Sequence, residues 1–222
     1  MQRVANLASR YSHAWVLLYF LLYLPWFGWL ESRDISRCTI VQLQVDELIP
    51  FCEYFVVPYL LWFFYMAAGI GYLLLTQPRE NFYRFAAVLF GGMTVCLVIY
   101  TFFYTGLDLR PQIDPDKNIF TWMVAQVWAV DTSTNVCPSI HCFATLALQA
   151  GLKRAGLDRR HPGVFIASAV LAVLIVLSTV MLKQHSVLDV ICAFLLASVM
   201  HRLVYRSRPM YMPRARLRLN RG

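Results

Sequence analysis

In a chain dominated by apolar residues, two histidines, an arginine, a lysine and an aspartate stand where chemistry could be done. His185 and Asp189 are four residues apart in Lys183-Gln184-His185-Ser186-Val187-Leu188-Asp189. On a helix that spacing puts both on one face, where the carboxylate can hold one imidazole nitrogen and leave the other free as a nucleophile or base. Pro138-Ser139-Ile140-His141 opens another apolar run. Its serine hydroxyl, the backbone N–H groups around Ser139 and Ile140, and the positive end of the following helix suit an anion. Arg110-Pro111 supplies a guanidinium able to grip two phosphate oxygens at once, and Lys183 offers a second positive charge. Together these groups match phosphoryl transfer, which needs neutralised oxygens, a nucleophile in line and an acid for the leaving oxygen. In that scheme His185, oriented by Asp189, attacks phosphorus and His141 protonates the leaving alcohol. Water or an acceptor hydroxyl then takes the phosphoryl group. The competing reading of His185 and Asp189 is a polar pair joining two helices. Charge in a bilayer is costly, however, and is usually kept for function. No histidine, cysteine or carboxylate spacing suits a metal, and the scheme calls for no cofactor.

These residues are positioned by a membrane bundle. The chain has 222 residues, of which 59% are hydrophobic and 14% charged, well below the ~25% charge of a soluble domain. Apolar runs fall at about 14–30, 54–75, 85–105, 141–156, 162–182 and 187–205. Each is near the ~20 residues a helix needs to cross the hydrocarbon, the fourth being shortest. The expected fold is an all-α polytopic bundle of six transmembrane helices forming one domain over 1–222, ending in a basic cytoplasmic tail, 206–222. Residues 1–13 and the first run begin like a signal peptide, but the run's length, aromatic flanks and missing A-x-A site predict a retained helix. Six crossings put 15 basic residues and two acids on one side, and five basic residues and ten acids on the other. The positive-inside rule then places both termini in the cytoplasm and the first, third and fifth loops outside, as in a plasma or inner membrane. Arg110, His141 and His185 all fall at that outward face. The arginine-rich tail suits topology and anionic lipid, and without a folded reader it does not indicate nucleic acid.

The third outer loop, about 106–137, is long enough to be functional. Within it, Ile119 to Val130 is apolar but too short to cross, and predicts a helix lying in the interface. The first outer loop, roughly 31–53, mixes acids and arginines irregularly and reads as solvated. Of six cysteines, Cys96 and Cys192 suit packing, and Cys38 and Cys52 are candidates for a disulfide in an oxidising compartment. Gly69 and Gly71 permit close helix contact.

The combination resembles the type 2 phosphatidic acid phosphatase superfamily, the lipid phosphate phosphatases, whose signature is K-x6-R-P, then P-S-G-H, then S-R-x5-H-x3-D. Here the second motif reads Pro138-Ser139-Ile140-His141. The third reads Ser178-Thr179, five residues, His185, three residues, Asp189; the first keeps only Arg110-Pro111. Phe103 stands where the lysine is expected, Ile140 replaces glycine, and Thr179 replaces arginine. Lys183 and Lys117 are the candidates to compensate, and Thr179 also suits an ordinary helix residue bonding its own backbone. The resemblance implies a metal-independent lipid phosphate phosphatase working through a phosphohistidine, with His185, His141 and Asp189 catalytic. By position, Arg110, Ser139, Ile140, Thr179 and Lys183 would meet the phosphate. The reduced first motif is similar to the branch holding sphingomyelin and inositol phosphorylceramide synthases, which implies head-group phosphotransfer as an alternative. A non-catalytic lipid-binding or transport relative is the third reading. The partner in each case is a lipid in the membrane.

Overall fold

The computed structural model describes residues 11–206. A 3₁₀ turn, Ser12–Leu18, runs on into α1, Tyr19–Glu31. The short α2, Gln44–Leu48, is followed by α3, Val56–Thr76, α4, Arg79–Phe102, and α5, Ile119–Val130. Then come α6, Ile140–Arg154, the single turn α7, Leu157–Arg160, α8, Pro162–Met181, and α9, Val187–Tyr205. The ends follow local chemistry. Asn118 caps α5 by accepting from the N–H groups of Phe120 and Thr121, Pro162 occupies the first turn of α8, and Ser186 caps α9 by accepting from Leu188 N–H. Gly156 adopts the left-handed conformation, φ +76°, that turns the chain between α6 and α7.

Among the described residues, five stretches are long and apolar enough to cross a membrane: Ser12–Glu31, Glu53–Thr76, Arg79–Phe102, Pro162–Met181 and Val187–Tyr205. The sequence leads one to expect six. The remaining run forms α6, whose 15 residues rise only about 22 Å against a hydrocarbon core of ~30 Å. Its surroundings explain the difference. α6 packs on α3, α4, α8 and α9 at once, so neighbouring helices rather than lipid set its length and polarity. Glycines let them close in. A Cβ on Gly92 of α4 would sit 1.9 Å from Phe143 Cζ, and one on Gly69 of α3 would sit 2.5 Å from Leu148 Cδ2. Gly71, expected to make the same kind of contact, faces open space. α5 has the bounds expected of the interfacial helix; Val124 packs with Val56, Tyr59 and Leu182 in a small second core.

The loops at the histidine end are tied together rather than loose. β1, Thr39–Ile40, pairs in parallel with β2, Thr105–Gly106, and Gly106 bridges to Thr134. Arg33 donates to the carbonyl of Tyr100 at 2.7 Å and to the Asn135 side chain, and lies over the Tyr104 ring. Glu31 accepts from the Thr132 hydroxyl at 2.6 Å and from Asn135 Nδ2 at 2.7 Å. The expected solvated first loop is therefore only half right. Asp34 and Arg37 are exposed, but Asp46 is 1% exposed. Its carboxylate accepts from Ser186 Oγ at 2.6 Å, Val187 N–H at 2.8 Å and Leu43 N–H at 2.7 Å, partners that replace the water it gives up. All six cysteines are free thiols, Cys38 and Cys52 included.

Candidate active site

The site is built where α6 and α9 begin. Ser139 caps α6, its hydroxyl oxygen accepting from Cys142 N–H at 3.3 Å, and its own N–H donates to the carbonyl of Asp189 at 3.2 Å. That bond ties the second motif directly to the third. Tyr100 of α4 donates its hydroxyl to the carbonyl of Pro138, holding the segment from the other side. Asp189, wholly buried, accepts from the backbone N–H of Ser186 through Oδ2 at 2.8 Å, which completes a capping box. The same oxygen lies 3.4 Å from His185 Nδ1. This is an ion-pair distance without hydrogen-bond alignment, and neither His185 Nδ1 nor Asp189 Oδ1 has a hydrogen bond among the described residues. With Nδ1 facing Asp189, Nε2 is the nitrogen left for chemistry.

His141 is the second residue of α6, with its ring centroid 5.9 Å from that of His185. Tyr59 and Trp62 of α3 flank it at 4.9 and 4.5 Å between centroids. Both histidines line one end of a cavity of about 620 Å³ between α1, α3 and α4. Gln184, Asp131 and Glu31 share that polar end, while the rest of the wall is apolar as far as Leu17 and Leu74. From Trp62 to Leu74 the helix rises about 18 Å, the scale of a lipid chain.

The residues named from sequence are gathered unequally. His141, His185 and Ile140 line the cavity, and Asp189 stands directly behind His185. Arg110 stands one side chain back from it. Its guanidinium donates to the carbonyl of Asp131 at 2.7 Å, to that of Trp128 at 3.3 Å and to the Gln184 side chain, which does reach the cavity. Burial lowers the Arg110 pKa from its usual value, and Asp131 acts against that shift. The remaining candidates are occupied elsewhere. Ser139 is committed to its cap. Thr179 donates Oγ1 to the carbonyl of Val176 at 2.8 Å and faces Cys142, while its own carbonyl receives the N–H groups of Gln184 and His185. It therefore shapes the turn and presents no side chain to the cavity. Lys183, at a left-handed φ of +57°, donates Nζ to the carbonyls of Asp46, at 2.6 Å, and Ile49. Burial lowers its pKa, with Asp46 opposing. Lys117 pairs with Glu53 at 2.8 Å, away from the cavity wall.

Sequence reasoning passed over four side chains at this end. Gln184 joins Arg110 to the cavity, and its Nε2 donates to Asp131 Oδ2 at 3.1 Å and to the Tyr59 hydroxyl at 3.2 Å. Tyr59 in turn donates to Asp131. Trp62 has a buried indole N–H with no partner among the described residues, on a ring that lines the cavity. Gln184 lies next to His185 and was visible as a polar residue in an apolar setting, whereas nothing in the sequence marks Tyr59 or Trp62 among the other aromatics of α3. Among the described residues no group of three or more histidine, cysteine or carboxylate side chains is placed to hold a metal. Comparison with known proteins adds nothing to this geometry: no family model, curated protein or solved structure matches the chain.

Proposed function

We propose that the chain is a membrane enzyme that cleaves the phosphoester of a lipid, without a metal, through a phosphohistidine on His185. The observation that carries the reading is the meeting of two histidines, one backed by a buried carboxylate, at the polar end of an apolar cavity of lipid-chain length. The lipid tail lies along α3 and its phosphate rests between His141 and His185. Nε2 of His185 forms a bond to phosphorus as the bond from phosphorus to the lipid oxygen breaks, and His141 gives that oxygen its proton. Water then attacks phosphorus, returns His185 and yields phosphate, with His141 taking the water's proton. The first-turn N–H groups of Ile140 and His141, which a helix leaves without intrahelical acceptors, face the developing charge together with Arg110 acting through Gln184. With α6 as a sixth crossing, the charge bias puts both termini in the cytoplasm and the histidines outside. The test is phosphate release from lipid phosphates by purified protein in detergent with chelator present. His185→Ala is expected to release none and to form no acid-labile phosphoprotein; full activity in that variant overturns the reading.

A second outcome of the same chemistry is favoured by the acids. Glu31 and Asp131 line the cavity beside the histidines, and the guanidinium of Arg110 stands behind Gln184. A doubly charged phosphomonoester is repelled by such a pair, whereas a singly charged phosphodiester is repelled less. On such a diester His185 takes the phospho-head group as the first lipid's oxygen leaves with a proton from His141, and a lipid alcohol in place of water then takes that group from His185, giving a new phospholipid. Adding a lipid alcohol and analysing the lipid products separates transfer from hydrolysis.

A further inference from the structure

The opposite face of α3 lines a second groove. Trp62, Met66, Ile70 and Leu74 line the histidine cavity, whereas Phe64, Tyr65, Ala68 and Tyr72 line a groove of about 690 Å³ shared with α8. Between Leu61 and Tyr72, both on its wall, α3 rises about 17 Å, again the length of an acyl chain. Part of the groove wall is pinned rather than soft. The hydroxyls of Tyr65 and Ser168, which both line it, donate to Oε1 of Gln149 at 2.9 and 2.7 Å and so clamp α3, α6 and α8 together. At the end away from the histidines the groove reaches His161, beside Arg159 and Arg160 of α7. Lys153, Arg159, Arg160 and His161 are all exposed, and none makes an ion pair among the described residues; Asp158 is the single acid in this segment.

We infer that this groove binds an anionic phospholipid from the cytoplasmic leaflet, one acyl chain lying between α3 and α8 and the head group meeting the basic cluster of α7. The charge decides the occupant. An apolar chain gains little by leaving bilayer for groove, because lipid tails are as apolar as its walls, so selectivity must come from the head-group end. Basic residues beside a membrane helix draw anionic lipid. A second copy of the chain docked through this face about a two-fold axis would bring two clusters of like charge together.

The experiment uses the full chain in a neutral detergent, with phosphatidylglycerol, with phosphatidylcholine of the same chains, and with soluble glycerol phosphate. Bound lipid is counted by native mass spectrometry and the melting temperature is recorded. Phosphatidylglycerol is expected to raise the melting temperature and to remain as one bound molecule, while the other two do neither. R159Q/R160Q/H161Q should weaken its binding by at least about tenfold. Ala167 lines the groove and is exposed, so Ala167→Phe should block binding while leaving the lipid-free melting temperature unchanged. Equal binding of the two lipids, or a shift with glycerol phosphate alone, overturns the proposal. So does undiminished binding by Ala167→Phe, or a lipid-independent dimer that Ala167→Phe breaks.

Discussion

Asp189 has two duties that one pair of substitutions can separate. It accepts from the Ser186 N–H in the capping box, and it faces His185 Nδ1. In Asp189→Asn the side-chain oxygen can still accept from Ser186 N–H, so the cap survives. That same oxygen, now neutral, still faces His185 Nδ1, so what is lost is the negative charge that orients the ring and stabilises it as Nε2 bonds phosphorus and the ring turns positive. The cost to turnover should be about three to four orders of magnitude, the scale of replacing the carboxylate behind an oriented histidine. That corresponds to ~4–5.5 kcal/mol in the barrier, while complete loss of a cap costs only about 0.5–2 kcal/mol. Ser186→Ala does the reverse. It removes the hydroxyl that caps Leu188 N–H and donates to Asp46, a stability loss of about 1–3 kcal/mol, and it leaves Asp189 in place. Lipid phosphate turnover and melting temperature are measured on both variants. Asp189→Asn is expected to melt near the parent and be almost inactive, with the loss in kcat rather than KM. Ser186→Ala is expected to melt lower and stay active. If the two properties fall in parallel in both variants, Asp189 is only a cap and the orienting role is refuted.

Other outcomes follow from the same geometry. If His141 is the acid, His141→Gln should slow phosphoenzyme formation from alkyl phosphates by about 10²–10⁴ and barely affect its formation from an aryl phosphate whose leaving group needs no proton; equal losses on both in that first step would rule the role out. Gly71 lines the cavity and a Cβ there meets nothing within 4 Å. Gly71→Leu should therefore fold normally and raise KM for long-chain substrates while sparing short-chain ones, and chain-length-independent kinetics would remove the cavity from the tail-binding role. Asp46→Ala leaves Ser186 Oγ and Val187 N–H without their buried acceptor and should cost about 2–4 kcal/mol, read as a fall in melting temperature; an unchanged value would mean that water replaces the carboxylate.

The helices were legible because their signals are local. Pro162, Ser139, Ser186 and Asn118 mark helix starts by chemistry that acts within three residues, and the structure places ends there. An apolar stretch too short to cross likewise outlined α5. What could not be read were pairings between distant segments. Asp46 meets Ser186 across 140 residues, and no feature of the first loop distinguishes it from its exposed neighbour Glu47. Lys183 looked free for phosphate because its neighbours in sequence offer no acceptor; its acceptors are the carbonyls of Asp46 and Ile49. Five of the six expected runs form helices long and apolar enough to cross, and α6 falls short of that length among the described residues. Hydropathy counts apolar residues, and cannot tell a helix facing lipid from α6, which faces other helices.

The charges at the histidine end divide into two groups, and the division bears on the substrate. Arg33, Asp46 and Lys183 hold the loops to each other and to the helix ends, each satisfied by backbone or side-chain partners. They make the cover that fixes where α6 and α9 begin, and so fix the spacing of His141 and His185. A phosphate entering this cavity meets two histidines, the start of α6 and a guanidinium reached through Gln184, against two carboxylates on the wall. Each full negative charge added to the substrate therefore finds little to neutralise it. A phosphodiester carries one such charge where a monoester at neutral pH carries nearly two. On that account Gln184→Ala, which uncovers Arg110 to the cavity, should improve monoesters relative to diesters. If it lowers activity on both equally, Gln184 is the route by which Arg110 acts on either substrate.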